Sequence, residues 1–392
     1  MHQDAFTYRI DREGTACEKY DLRKKLFGRA DVLPMWVADQ DLPTPDFVVE
    51  ALRKRLAHPI LGYVETPESA YQAVIDWQAD KGLKVEPEQI LWTHNVANGF
   101  MLAVQALSQP GDAVLVQTPV YPPFRQSPGL NGRQLVEAPL VLAHGRYQMD
   151  FERFEQLVIE HKVALFLFCH PQNPSGRVWE QDELERLAEI CLRHGVKIVS
   201  DEIHSDLVFS PAKHVPMASL SAEVAQNVVT LSSPGKTFNL GGLQIGYAIM
   251  ANPEWRAAYR RVLQQHSITD LNLFALVALE AAYSPAGRDY LPQLKRHFLA
   301  NVERVEAFFA LYWPRVQVMR PQASFLIWLD FSRVFSDHQA IQRFLVDQAG
   351  LGLNDGLSFG EAGRGFARIN IAVPTQTLDL ALKQLRQAID AT

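Results

Sequence analysis

Cysteine is scarce in this chain: three in 392 residues, at positions 17, 169 and 191. The number is odd and the spacing wide, and no Cys-x-x-Cys or Cys/His ligand spacing occurs. A disulfide framework and a structural zinc site are excluded on that count. Each cysteine reads as a small buried hydrophobe, and the cytoplasm is the default compartment. Long apolar runs are also missing. The longest, Val163-Ala164-Leu165-Phe166-Leu167-Phe168-Cys169, falls far short of the ~20 residues that cross a bilayer. The N-terminal MHQDAFTYRIDREG carries early acids and no apolar stretch, so it is not a signal peptide. Nor is there an excess of positive charge. Lys+Arg number 38 against 44 Asp+Glu, a net charge of −6, which argues against nucleic acid or an anionic membrane as the default partner. No repeat or low-complexity tract interrupts the chain.

What remains is an ordinary soluble composition, 47% apolar and 21% charged. The length implies two or three domains at ~150 residues each. Thr44-Pro45 and Thr66-Pro67 read as N-caps with proline at the first helical position, opening helices over Pro45–Ala57 and to about Lys81. From about residue 90 apolar strands alternate with amphipathic helices. Strands are predicted at Ala113–Val116, Ala164–Cys169, Val196–Ser200, Val228–Leu231 and Tyr247–Met250, with helices at Gly99–Leu107 and Glu180–His194. Near-continuous apolar strands separated by helices indicate an α/β domain with a mostly parallel sheet covered on both faces. After about residue 285 a long helix, Pro285–Leu311, leads into short strands (Val316–Met319, Ser324–Leu329, Ala367–Ile371) and helices (His338–Gln348, Leu378–Ile389). That is an α+β lobe. The expected division is a large domain over 46–284 and a smaller one made of 1–45 with 285–392, since chain termini often lie together.

Parallel sheets bind ligands at the carboxyl ends of their strands; polar groups follow three of the predicted strands, and a fourth precedes a predicted helix. After Cys169 comes His170-Pro171-Gln172-Asn173-Pro174-Ser175-Gly176. After Ser200 comes Asp201-Glu202-Ile203-His204. After Leu231 comes Ser232-Ser233-Pro234-Gly235-Lys236, and ahead of Gly99–Leu107 stands His94-Asn95-Val96-Ala97-Asn98. Taken singly, Lys236 reads as a surface lysine, Asp201 as a helix cap and Asn173 as a turn residue.

In this order the motifs resemble the pyridoxal 5′-phosphate enzymes of the aspartate aminotransferase fold (fold type I). Pro171-Gln172-Asn173-Pro174-Ser175-Gly176 matches P-x-N-P-x-G, Asp201 the family's aspartate and Lys236 its cofactor-bearing lysine. Leu33-Pro34-Met35-Trp36-Val37-Ala38-Asp39 narrows the resemblance to cystathionine β-lyases of the MalY/PatB type. Gly62-Tyr63, Pro119-Val120-Tyr121-Pro122-Pro123-Phe124, Ser200–His204, Lys236–Leu240 and Gly365–Ala372 agree with it. The fold so implied is a large domain with a seven-stranded, mostly parallel sheet and a smaller α+β domain.

The resemblance implies roles. Lys236 holds the cofactor aldehyde and, once freed, removes the substrate α-proton. Asp201 keeps the cofactor's ring nitrogen protonated, while Asn173 and His204 face its phenolic oxygen. Val96 and Ala97, with the Ser233 hydroxyl, hold the phosphate at a helix N-terminus. Tyr121 lies near the ring and protonates the leaving sulfur. Arg368 takes the substrate α-carboxylate as a planar fork, with Asn173 and Trp36 beside it, and Tyr63 reaches across a homodimer to the neighbouring phosphate. Three positions depart from the pattern. Gln244 stands where many aminotransferases carry arginine, Gly235 where serine is usual, and Asn95 in a loop that usually reads G-V-V. The activity implied is carbon–sulfur β-elimination from cystathionine or a cysteine S-conjugate. The alternatives are an aminotransferase and a regulatory protein on the same fold.

Overall fold

The structure, a computed structural model, describes residues 6–268 and 270–391; residues 1–5 and 392 of the expected small domain lie outside that range. Seven strands build the central sheet: β1 (Ile90–Thr93), β2 (Ala113–Thr118), β3 (Gln134–Pro139), β4 (Val163–Cys169), β5 (Lys197–Asp201), β6 (Val228–Ser232) and β7 (Gly246–Met250). Their order is β1-β7-β6-β5-β4-β2-β3. All neighbours from β6 to β3 pair parallel. Only β7 runs antiparallel to both its neighbours. The carboxyl ends of β1, β2, β4, β5 and β6 therefore share one edge of the sheet.

Side-chain alternation along each strand divides the core in two. Val114, Val116, Leu165, Leu167, Val199, Val229 and Leu231 pack with Phe100, Ala103 and Val104 of the helix Val96–Leu107, and with Tyr259, Val262 and Leu263 of the helix Pro253–Gln265. Ala113, Leu115, Phe166, Phe168, Ile198 and Val228 face the other way, onto the helices Phe151–His161 and Gln181–Arg193. Both faces are covered, which is why these strands are apolar throughout rather than alternating.

A second sheet holds four strands, β8 (Gln317–Met319), β9 (Leu326–Asp330), β10 (Asn354–Asp355) and β11 (Phe366–Asn370), in the order β8-β9-β11-β10, all antiparallel. Leu33–Pro34 pairs parallel with Leu351–Gly352, so the N-terminal segment is stitched to the C-terminal part of the chain. The long helix is Pro285–Tyr312.

Two predicted features shift. The helices begin at Asp46 and Glu68, with Pro45 and Pro67 in the cap position and no side-chain cap bond. Thr44 and Thr66 are not the caps: each proline has an extended ψ, 139° and 153°, so it precedes the helix rather than opening it. The third helix starts at Val96, not Gly99, because Asn95 caps it by accepting the Asn98 N–H at 2.8 Å. Among the described residues no helix is long and apolar enough to cross a membrane.

Candidate active site

The turns after β2, β4 and β6, with the last residue of β5, bring Tyr121, Asn173, Lys236 and Asp201 to one edge, and β11 delivers Arg368 from the second sheet. The segment 35–42 runs between the two sheets and ties them. Lys236 Nζ donates to the Ala38 carbonyl at 2.5 Å. Arg368 Nη2 donates to the Trp36 carbonyl at 3.0 Å. Gln40, buried, donates from Nε2 to the carbonyls of Lys236 (2.8 Å) and Thr237 (3.1 Å). Asn370 binds the Asp39 carbonyl at 2.6 Å.

Arg368 is buried, yet no carboxylate pairs with it among the described residues. Its Nη1 donates to Asn173 Oδ1 at 2.8 Å and its Nη2 to Asn354 Oδ1 at 2.6 Å, over the Phe359 ring, while Nε has no partner. Burial lowers its pKa to about 10. The guanidinium is held by neutral amides alone, its charge has no counter-ion among the described residues and one donor is idle. Asn354 escaped the sequence reading because a two-residue strand leaves no periodic signal.

Burial, followed by the Arg368 charge, lowers the Lys236 pKa to about 8; Asp39, Asp201 and Glu18 pull the other way. The amine therefore becomes the neutral, nucleophilic form at a lower pH than an ordinary lysine does, from about pH 8 upward. Asp201 is buried at the end of β5 with no ion pair among the described residues. It accepts the Ile203 N–H at 3.1 Å, and burial raises its pKa to about 7. A carboxylate so placed favours a cationic N–H partner. His204 is buried and neutral. Burial, then Lys236 and Arg368, lowers its pKa to about 3, and its Nδ1 has no partner. Tyr121 keeps its proton, because burial raises its pKa.

Val96 and Ala97 open the helix at positions whose N–H groups lack an intrahelical acceptor. Two of the departures noted in the sequence meet here: Asn95 Nδ2 donates to Gln244 Oε1 at 2.6 Å. A neutral amide pair thus stands where an arginine is usual. Ser233 behaves differently from expectation. Its only proton goes to the Ile245 carbonyl at 2.6 Å, and its oxygen accepts the Gly235 N–H at 2.9 Å. It organises the turn rather than presenting a donor. A Cβ at position 235 would stand 2.9 Å from that oxygen, which accounts for glycine there. Trp36 lies at the cleft with its indole N–H on the Lys19 carbonyl at 3.1 Å. Tyr63 is wholly exposed.

The turn bearing Lys236 is anchored from beneath. Asp206, buried, accepts from Thr237 Oγ1 (2.7 Å), Trp77 Nε1 (3.0 Å) and Lys81 Nζ (2.5 Å). Replacing Asp206 with alanine strands the Lys81 charge, so we expect a loss of about 3–5 kcal/mol, read as a lower urea midpoint. An unchanged midpoint would show that the pair anchors nothing.

Residues 32–385 match the aminotransferase class I and II family, and the chain belongs to it. It is 41% identical to the protein named cystathionine beta-lyase PatB of Bacillus subtilis strain 168, over 98% of this chain and 99% of that one. Cystalysin from Treponema denticola, whose structure contains pyridoxal 5′-phosphate, superposes with a TM-score of 0.95 at 30% identity and 98% coverage of both chains. A pyridoxal-phosphate-bound C–S lyase from Staphylococcus hominis gives 0.91 at 30% identity, again over 98% of each.

Proposed function

We propose that the chain is a pyridoxal 5′-phosphate-dependent carbon–sulfur β-lyase acting on cystathionine or a cysteine S-conjugate. One observation carries this reading. A lysine with a depressed pKa, a tyrosine that keeps its proton and a buried arginine lacking a carboxylate partner meet in one cleft. The residues fit the cofactor on the structure's own terms. Lys236 offers an amine, Asp201 a buried carboxylate in want of a cationic N–H, His204 an idle ring nitrogen, and Val96 and Ala97 free N–H groups for a phosphate. Asn173, its amide oxygen occupied by Arg368, keeps Nδ2 as a donor. When bound, pyridoxal phosphate supplies an electron sink for the charge left by α-proton removal.

The chain's own groups do the rest. Arg368 fixes the α-carboxylate and so orients the Cα–H bond. Lys236 Nζ takes the α-proton. The Tyr121 phenol gives a proton to the departing sulfur. With one water the overall change balances: R–S–CH₂–CH(NH₃⁺)–COO⁻ and H₂O give RSH, pyruvate and NH₄⁺. The test is dependence on a 2-oxo acid. Thiol release from cystathionine with none added supports the lyase. Activity that appears only with an oxo acid, without thiol, supports the second reading, an aminotransferase, which the family name keeps in view.

The same reading assigns 46–284 to a cofactor-binding domain and 1–45 with 285–392 to a smaller one, in the cytoplasm. The pairing of Leu33–Pro34 with Leu351–Gly352 supports that division. It also makes the functional unit a homodimer. Tyr63 is exposed beside the exposed Leu56, Ile60 and Leu61, an apolar patch suited to a second copy. In that dimer Tyr63 serves the neighbouring site. Mixing and refolding the two weakened variants Tyr63→Ala and Lys236→Ala should restore activity through hybrids that hold one intact site. No recovery, with dimers present, would contradict the assignment.

A further inference from the structure

The segment 35–42 is fastened to the second sheet at both ends. Met35 donates to the Gly352 carbonyl at 2.8 Å and accepts the Asn370 N–H at 2.9 Å, and Asp41 donates to the Ala372 carbonyl at 2.8 Å. Toward the turn that bears Lys236 it is fastened by two side chains. Gln40 Nε2 donates to the carbonyls of Lys236 and Thr237, at 2.8 and 3.1 Å. The Gln40 N–H donates to Asn239 Oδ1 at 3.0 Å. Asn239 Nδ2 donates back to the carbonyls of Gln40 and Leu42, at 3.0 and 3.1 Å. Among the described residues no other hydrogen bond joins the segment to residues 233–240, except the one that Lys236 Nζ itself makes to Ala38.

That exception gives the clasp a chemical consequence. Among the described residues Nζ has one hydrogen-bond partner, the Ala38 carbonyl. The Trp36 carbonyl, two residues earlier, holds Arg368 Nη2. Two residues of chain span at most ~7 Å, so one short stretch of backbone faces both the amine and the guanidinium. The α-carbon of a substrate is one bond from the carboxylate that Arg368 would take, and its proton must point at Nζ. The segment therefore sets the separation that proton transfer depends on. Arg368 has Asn173 and Asn354 as further partners, whereas Nζ has none. A loosened segment displaces the amine more than the guanidinium.

We propose that Gln40 is a positioning residue: clasped with Asn239, it holds the Ala38 carbonyl, and through it the Lys236 amine, in line for removal of the α-proton. This rests on the reading of Lys236 as the base, and it gives that base a device drawn from the opposite side of the cleft. Gln40 is buried and carries no charge, so it acts through geometry alone.

The test uses holoenzyme and two variants. Gln40→Met keeps the size and loses the donor. Asn239→Gly keeps a backbone at φ 58° without strain and loses the side-chain bonds. Exchange of the α-proton of L-alanine in D₂O, followed by NMR, needs neither a leaving group nor an oxo acid. Each variant should exchange about 10- to 100-fold more slowly at saturation, with the loss in kcat rather than KM. The double variant should be little slower than the worse single one, because the two residues form one clasp. Cofactor uptake gives a readout without substrate. Loosening admits water to Nζ, while the charges acting on it, Arg368, Asp39, Asp201 and Glu18, stay the same. The pH at which uptake levels off should therefore rise from about 8. Slowed exchange in the variants, with no thiol from cystathionine in the wild type, would sink the lyase reading and leave the role of Gln40 standing. Exchange per bound cofactor and uptake pH both unmoved, with only the urea midpoint lowered, would overturn the proposal. So would a wild type that exchanges no α-proton.

Discussion

Replacing Lys236 with alanine should lower kcat/KM on cystathionine by about 10²–10⁴-fold from lost proton transfer alone. The amine is the only basic group that the site holds both buried and lowered to a pKa of about 8, among the described residues. His204, also buried, is a far weaker base, since its pKa falls to about 3. A small primary amine added to the variant should recover part of the rate, rising with the concentration of its neutral form. The pH dependence has a fixed sign. Below about 8 Lys236 is protonated and cannot attack an aldehyde. Uptake of pyridoxal phosphate by cofactor-free wild type should therefore quicken with rising pH and level off above about 8. An ordinary lysine, at 10.5, would keep quickening well past that point. Stopped-flow absorbance from pH 6 upward distinguishes the two.

Arg368 comes second. Arg368→Ala removes a charge-assisted fork whose bonds are worth roughly 1.5–3 kcal/mol, so KM for any α-amino acid substrate should rise by about 10- to 150-fold. Arg368→Lys keeps a charge but not the geometry. A lysine cannot satisfy Asn173, Asn354 and the Trp36 carbonyl while gripping a carboxylate with two parallel bonds. Most of the loss should remain. The contrary outcome is a lysine variant with near-native KM, which would make Arg368 a point charge rather than a receptor. Because the arginine acts on binding, kcat should change less than KM.

Much of this was legible in the chain. Five of the seven strands of the central sheet stood out because each is buried on both faces, and the ends of three marked Asn173, Asp201 and Lys236; β1, Ile90–Thr93, is as buried but only four residues long, and it was missed. What was hidden has physical causes. Strand β3, Gln134–Pro139, lies at the sheet edge with mixed burial, so it lacks the apolar run that announces its neighbours. The helix at Val96 starts earlier than its apolar pattern because its cap, Asn95, is a side-chain bond rather than a composition. Ala38 meets Lys236 through a backbone carbonyl, a contact that any residue type could make. Asn354 lies far from Asn173 in sequence and meets it only through Arg368. Ser233 shows the opposite failing. Its residue type and spacing suited a phosphate donor, but its proton is committed to Ile245. The departures at Asn95 and Gln244 looked independent in sequence and turn out to be hydrogen-bonded partners.

One incubation tests the central claim most directly: purified protein with pyridoxal phosphate and L-cystathionine, no 2-oxo acid present, assayed for thiol, pyruvate and ammonia. Carbon–sulfur β-elimination predicts that the three appear together in equal amounts and continue through many turnovers. Amino-group loss from cystathionine without thiol, or turnover that halts until an oxo acid is supplied, would contradict it.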